Sequence, residues 1–104
     1  MARPPGNTAI TTALTGADQA VLTGGGIFYG GCFYESGGSN TKTLTIHDGT
    51  SASGTVIAHI VLAASGVTNL NIANGVQVVS GIYVDVSGSG TLGGAIFSVA
   101  RHGL

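Results

Sequence analysis

Glycine interrupts this chain so frequently that long helices are disfavoured. Its 104 residues include 19 glycines, a share more than twice the average of about 7%. Each glycine inside a helix costs about 1 kcal/mol relative to alanine, whereas the Thr and Val residues that fill the intervals between the glycines favour strands. The sequence therefore predicts an all-β protein.

Alternation of apolar and polar residues, which is typical of half-buried strands, marks two segments clearly. In Lys42–His47 it places Leu44 and Ile46 on an inward face, and it recurs in Ile82–Val86. Clusters of Gly, Ser, Asn and Asp separate the remaining segments and predict turns. Further strands are predicted at Thr8–Leu14, Asp18–Thr23, Ile27–Glu35, Thr55–Ala63, Val67–Ile72, Val76–Val79 and Leu92–Val99.

About eight short strands with no helix to cover a sheet predict an antiparallel β-sandwich or jelly roll, with an up-and-down barrel as the competing architecture. Asn74–Gly75 is a typical two-residue hairpin turn and is expected to join two of these strands. One domain is predicted over residues 8–100. Residues 1–7 are predicted to form an extended N-terminal arm, because Pro4 and Pro5 lack the N–H of a central strand. Residues 101–104 are predicted to be a C-terminal tail.

Two predicted strands are apolar on both faces, and this is the strongest functional signal. In Ile27–Glu35, strict alternation places Phe33 on one face and Phe28 on the other, and Thr55–Ala63 behaves alike. A face turned away from the core needs a second cover, either a loop or another subunit. Gly30–Gly31 is interpreted as a bulge or as a close approach of another backbone segment. We favour a subunit interface, formed by Phe28, Tyr29, Phe33, Tyr34, Ile57, His59 and Val61.

Charge is scarce, which excludes two classes of partner. Only 7% of the residues are charged, and the net charge is −1, so no run of phosphates and no anionic membrane surface finds a basic patch to bind. We therefore expect no nucleic-acid and no membrane partner. A protein with so few charges is also prone to associate with other molecules, because little repulsion keeps them apart. The N-terminal residues lack an apolar signal segment, so synthesis in the cytoplasm is expected.

No constellation of residues points to catalysis, a cofactor or a metal. His47 and Asp48 are adjacent on a strand and point to opposite faces, so they do not share an ion. His59 is interpreted as a hydrogen-bonded core or interface histidine, and Cys32, the only cysteine, as a buried thiol. The glycine-rich stretches lack the helix and lysine of a phosphate-binding loop. The sequence predicts a protein that is not an enzyme.

The two ends of the chain carry two of its three cationic residues, Arg3 and Arg101. They are either solvated tails or arms that dock on an acidic partner, since arginine pairs with carboxylates through two hydrogen bonds.

Several stretches together resemble the small β-rich virion proteins of tailed bacteriophages, and among these the capsid decoration (cement) proteins. The resemblance is a pattern of turns and strands that covers most of the chain. The residues that carry it are Arg3–Ala9, Thr11–Leu14, Gly16–Gln19, Ile27–Gly31, Thr45–Thr55, Asn74–Val76 and Gly81–Val86.

The resemblance implies a homotrimer on the outer surface of an assembled phage capsid, where it stabilises the shell. Its partners would be its own copies and the major capsid protein, with Arg3, Pro4, Pro5 and Arg101 as the expected shell contacts. The alternative is a β-sandwich module of the tail, a fibre or a vertex that binds a host-surface glycan or another virion protein. A glycan site would place aromatic residues at loop tips, whereas four of the six aromatic residues lie in one predicted strand.

Overall fold

A computed structural model describes residues 9–100. They form an all-β fold, as predicted, and include no helix able to span a membrane. Eight strands follow one another along the chain: β1 (Ile10–Ala13), β2 (Gln19–Thr23), β3 (Gly26–Glu35), β4 (Lys42–Asp48), β5 (Thr55–Leu62), β6 (Val67–Val78), β7 (Gly81–Ser87) and β8 (Leu92–Ala100).

The strands build two antiparallel four-stranded sheets. Sheet A has the order β1-β8-β3-β6, and sheet B has the order β2-β7-β4-β5. The first strand thus pairs with the last, the second with the seventh, the third with the sixth and the fourth with the fifth. This nested pairing is the strand order of a jelly roll. An up-and-down barrel would pair each strand with its neighbour in sequence, and only β4 and β5 do so.

The core lies between the sheets and consists of aliphatic and aromatic side chains from six strands, β3 to β8. Leu44 and Ile46 of β4 are fully buried in it, as the alternation predicts. Burial of such side chains stabilises the fold by roughly 1.5–3 kcal/mol each. The members of the buried cluster are Phe28, Phe33, Leu44, Ile46, Ile60, Leu62, Val78, Ile82, Val84, Leu92 and Ile96.

A bulge in β3 corrects the predicted faces of this strand. Phe28 pairs with Ser98 and Gly30 with Phe97, so Tyr29 is an extra residue opposite β8. Gly30 has a φ of +107°, a conformation that glycine adopts without steric cost. The bulge was predicted, but its consequence is that alternation restarts after it. Phe28 and Phe33 therefore face the same core, and their assignment to opposite faces of the strand is wrong.

Asn74–Gly75 does not form the predicted hairpin turn. Both flanking segments pair with β3, Val67–Asn71 with its second half and Val76–Val78 with its first half. The chain therefore continues in one direction through β6, and the residues between the two paired segments bulge out of the ladder opposite Tyr29. Gly75 lies against Ile27 and Tyr29, where a Cβ atom would come within 2.3 Å of the Ile27 Cγ2. The bulge covers part of the outer face of β3.

The jelly roll has two distinct ends. Loops 14–18, 36–41, 63–66 and 88–91 lie together where β3 ends, and we call this the Glu35 end. Loops 24–25, 49–54 and 79–80 lie at the opposite end, which we call the Asp48 end. Because β1 pairs with β8 through Ile10 and Ser98, the described chain also begins and ends at the Asp48 end.

Candidate functional site

Two of the predicted subunit contacts lie inside the molecule. Phe28 and Phe33 are 0% exposed and belong to the core. A partner has no access to them in this fold. Phe28 and Phe33 therefore do not belong to an interface, contrary to the prediction. The cause is the bulge in β3, which returns both aromatic rings to the inner side of sheet A. Their position accounts for two of the four aromatic residues of this strand, because Phe28 and Phe33 fill the centre of the sandwich.

Tyr29 and Tyr34 lie on the outer face of sheet A. Tyr29 is half-buried beneath the bulge of β6. Tyr34 is 41% exposed and its ring covers Gly93 of β8, where a Cβ atom would come within 2.4 Å of the ring. Tyr34 is paired with the exposed Val67 of β6. The two residues form an apolar pair at the margin of the sheet.

His59 and Val61 lie on the outer face of sheet B, at its edge strand β5. Val61 is 62% exposed. His59 is also exposed, and its Nδ1 is hydrogen-bonded to the Thr45 Oγ1 at 3.0 Å. Ile57 packs against the core and offers a partner only part of its side chain. The structure thus brings His59 and Val61 together and places Tyr29 and Tyr34 on the opposite sheet.

The predicted shell contacts Arg3, Pro4, Pro5 and Arg101 lie outside the described residues. Their point of attachment is nevertheless defined, since Ile10 and Ser98 are cross-strand partners at the Asp48 end. The described part of the chain therefore begins and ends at the same end of the jelly roll. Residues 9–100 retain one lysine and four carboxylates, which gives this body a formal charge of −3.

The lysine of the body is buried against backbone. Lys42 is 9% exposed, and its Nζ donates a hydrogen bond to the carbonyl oxygen of Gly88 at 3.1 Å. The positive charge is thereby used within the loops of the Glu35 end, and little of it is presented to a partner. Within residues 9–100, no other lysine or arginine is present to attract an acidic surface.

Glu35 organises the loops at its end of the molecule. Its Oε1 accepts hydrogen bonds from the backbone N–H groups of Gly38 and Ser65, and its Oε2 from those of Gly37 and Thr91, at 2.7–2.9 Å. The bonds from Ser65 and Thr91, followed by the others, lower the pKa of the carboxyl from 4.5 to about 2. One carboxylate thus joins three loops from both sheets. The sequence predicts that a strand ends at Glu35, but it does not reveal the distant loops that the carboxylate binds.

Asp48 fixes the turn at the opposite end. Its carboxylate accepts the N–H of Ser80 at 2.9 Å and that of Val79 at 3.0 Å, and these bonds, the Ser80 bond foremost, hold the pKa of Asp48 below its usual value. Val79 is 74% exposed. The turn therefore presents an apolar side chain on a backbone that a carboxylate holds in place.

His47 and Asp85 form the closest ion-pair geometry in residues 9–100. The His47 Nδ1 donates a hydrogen bond to the carbonyl oxygen of Gly54 at 2.9 Å. Its Nε2 is buried without a hydrogen-bond partner and lies 3.9 Å from the Asp85 Oδ2. Neither a serine nor a cysteine is hydrogen-bonded to this imidazole within the described part of the chain. The pair therefore lacks the nucleophile of a hydrolytic site.

The histidines, cysteine and carboxylates of residues 9–100 form no metal-binding cluster. Three or more such side chains do not converge anywhere in this part of the chain. Cys32 is half-buried on the outer face of sheet A, beside Asn69 and Ala95 on the flanking strands. Its prediction as a buried thiol is therefore correct only in part.

Comparison with protein-family models, with curated proteins and with solved structures finds no match to this chain. The charge and the exposed residues described above are therefore the evidence for its function.

Proposed function

We propose that this protein is a non-enzymatic structural component of a phage virion, which binds the outside of the assembled capsid as a homo-oligomer and stabilises it. The observation that carries the proposal is that the described residues begin and end at the same end of the jelly roll, the Asp48 end. The sequence continues from there into the segments that contain Arg3 and Arg101, whereas the described body has a negative formal charge. We propose that both segments attach to the shell from this end, across a joint between shell subunits.

The rest of the molecule supports a scaffold rather than a catalyst. The core is apolar and continuous, and the loops of the Glu35 end are held to one carboxylate. We propose that this body contributes weak contacts to the shell, and such contacts gain strength through multivalency when several copies are joined. We propose a homotrimer with the major capsid protein as its shell partner.

Copy number in purified virions tests the proposal. Quantitative mass spectrometry should give this chain hundreds of copies in a simple ratio to the major shell protein, as a symmetric coat component requires. A handful of copies would place it at a tail or vertex and contradict the proposal. Its absence from particles would contradict any structural role in the virion.

A gain of stability is the second requirement. Particles that lack the protein should lose their nucleic acid at a lower temperature than complete particles, and added purified protein should restore the difference. A variant with Arg3→Ala and Arg101→Ala should bind the shell more weakly while its fold, which does not depend on these positions, is kept. Full binding by this variant would contradict the assignment of the arms.

A further inference from the structure

Exposed apolar side chains gather along one side of the jelly roll. Sheet B ends at β5 and sheet A ends at β6, and these two edge strands contact each other across the sandwich. Seven large apolar side chains are exposed in residues 9–100, and six of them lie on this side. They are Val56 and Val61 on β5, Val67 and Val76 on β6, Val79 immediately after β6, and Tyr34, the partner of Val67.

Strands β5 and β6 themselves contain no charged residue. From residue 49 to residue 84 the sequence has no Asp, Glu, Lys or Arg, and this interval contains all of β5 and β6. Proteins usually protect sheet edges with charged residues, proline or very short strands. The opposite side follows this rule, because its edge strands β1 and β2 have four and five residues. Strands β5 and β6 have eight and twelve.

From these observations we infer that the β5–β6 edge is where two copies of this chain meet. The inference deepens the oligomeric part of the proposed function by naming its interface. It also joins the two separate groups of predicted contacts: His59 and Val61 border this edge on sheet B, and Tyr34 borders it on sheet A. What looks like two patches on opposite faces is one surface that wraps around the edge.

The size of the edge fits a second copy. Because of its bulge, β6 runs alongside only nine residues of β3, Gly26–Tyr34, and spans about 30 Å. The molecule is 20 Å across its thinnest dimension. The side therefore offers about 600 Å², the lower end of the area that each partner contributes to a stable interface. The distribution of charge also favours a second copy of this chain as the partner. Bodies with a formal charge of −3 repel one another, and the repulsion is weakest where two uncharged β5–β6 edges approach.

Irregularities in both strands limit how the copies join. Ile57 is an extra residue in β5 where its pairing with β4 shifts, and β6 bulges between Asn71 and Val76. Bulges of this kind prevent an edge from extending a regular ladder. The copies therefore pack through side chains in a closed assembly, and the edge does not add strands without limit.

The experiment compares matched exposed positions on the two sides. Val61 and Ile10 are both 62% exposed, the first on the β5–β6 edge and the second on β1. The full-length protein should sediment as an oligomer. Val61→Asp combined with Val67→Asp should raise the dissociation constant at least about 100-fold, while Ile10→Asp should leave the oligomer intact. Circular dichroism confirms that each variant keeps the fold.

Three results would overturn the inference. They are a wild-type protein that is monomeric at all concentrations, an oligomer that survives the double substitution, and an oligomer that Ile10→Asp dissociates. If a variant misfolds, hydrogen exchange of the wild type decides instead: the free amides of β5 should become protected as concentration rises, and those of β1 should not. The measurement is made without virions, so its failure and a failure of the capsid proposal are separately visible.

Discussion

Glu35 shows how a single buried carboxylate can hold several loops together. Its two oxygens each accept two backbone N–H groups, so the carboxylate is saturated by the loops that it joins. Hydrogen bonds to a charged acceptor are about twice as strong as neutral ones. An amide in its place has one oxygen and presents an NH₂ group to donors that need an acceptor.

Substituting Glu35 should change the pH dependence of stability as well as its size. The folded-state pKa of about 2 lies below the usual 4.5, so the stabilisation is fully present above pH 4.5 and is lost as the pH falls toward 2. Glu35→Gln should lower the melting temperature at pH 7 more than Asp48→Asn or Asp18→Asn. It should also flatten the acid decline, as thermal unfolding at a series of pH values will show.

Asp18→Asn is the matched control for this series, since Asp18 accepts one backbone N–H, that of Val86. An acid decline of unchanged steepness in Glu35→Gln would mean that other carboxylates cause it. Asp48, whose pKa is also lowered, would then be the first to test.

Comparing alanine substitutions at Gly30 and Gly24 distinguishes the cost of backbone strain from the cost of a steric clash. Both have positive φ, +107° and +93°, but a Cβ on Gly30 would lie 2.0 Å from the Leu70 carbonyl oxygen, whereas one on Gly24 meets nothing within 4 Å. Gly24→Ala should cost about 1–2 kcal/mol from the backbone conformation alone. Gly30→Ala should cost about 3 kcal/mol or more, because β6 must also move. Urea unfolding measures both, and equal costs would contradict the contact.

At the level of the strand, neighbouring residues of β3 should respond very differently to the same change. Phe33→Ala removes a fully buried ring and should cost about 3–5 kcal/mol. Tyr34→Ala removes a ring that is 41% exposed and should cost about 1 kcal/mol. Chemical denaturation of the two variants gives the difference. The reverse order of costs would contradict the bulge, because strict alternation from Phe28 would place Tyr34 on the inner face and Phe33 on the outer face.

Most strands could be predicted because alternation and turn residues act locally. Leu44 and Ile46 of β4 show this clearly, since both the strand and its inward face follow from the pattern. The faces of β3 could not, because one extra residue at Tyr29 reverses every later side chain. Asn74–Gly75 has the local signature of a hairpin, but pairing of both flanking segments with β3 overrides it. Local pattern does not contain such long-range partners.

The surface sites were predicted less well for the same reason. Glu35 is recognisable as a strand-end carboxylate, but the loops that bind it come from three separate places in the chain. The exposed residues of β5 were anticipated by their apolar character, as in Val61. Their meeting with Val67 and Tyr34 at one edge depends on the order of strands in each sheet, which period-2 patterns do not encode.

For the whole molecule, the distribution of charge predicts two opposite responses to salt. The β5–β6 edge is uncharged, so self-association should change by less than about twofold between about 0.05 and about 0.5 M NaCl, or strengthen slightly as repulsion between the bodies is screened. Binding to the shell through Arg3 and Arg101 should weaken severalfold over the same range. Sedimentation and particle-binding measurements test the two parts separately. Loss of self-association with salt would show that ion pairs join the copies.

The pairing of β1 with β8 has a consequence for how the protein is made and how it lasts. Residues Ile10–Ala13 find their partners at Ala95–Ser98, so sheet A stays incomplete until β8 has emerged from the ribosome. Chains dominated by such distant pairings fold slowly. Shortening the chain before β8 removes the neighbour of both β1 and β3, so no half of the molecule is a folding unit. If truncated or unfolded chains cannot refold, the lifetime of the folded protein is governed by its rate of unfolding.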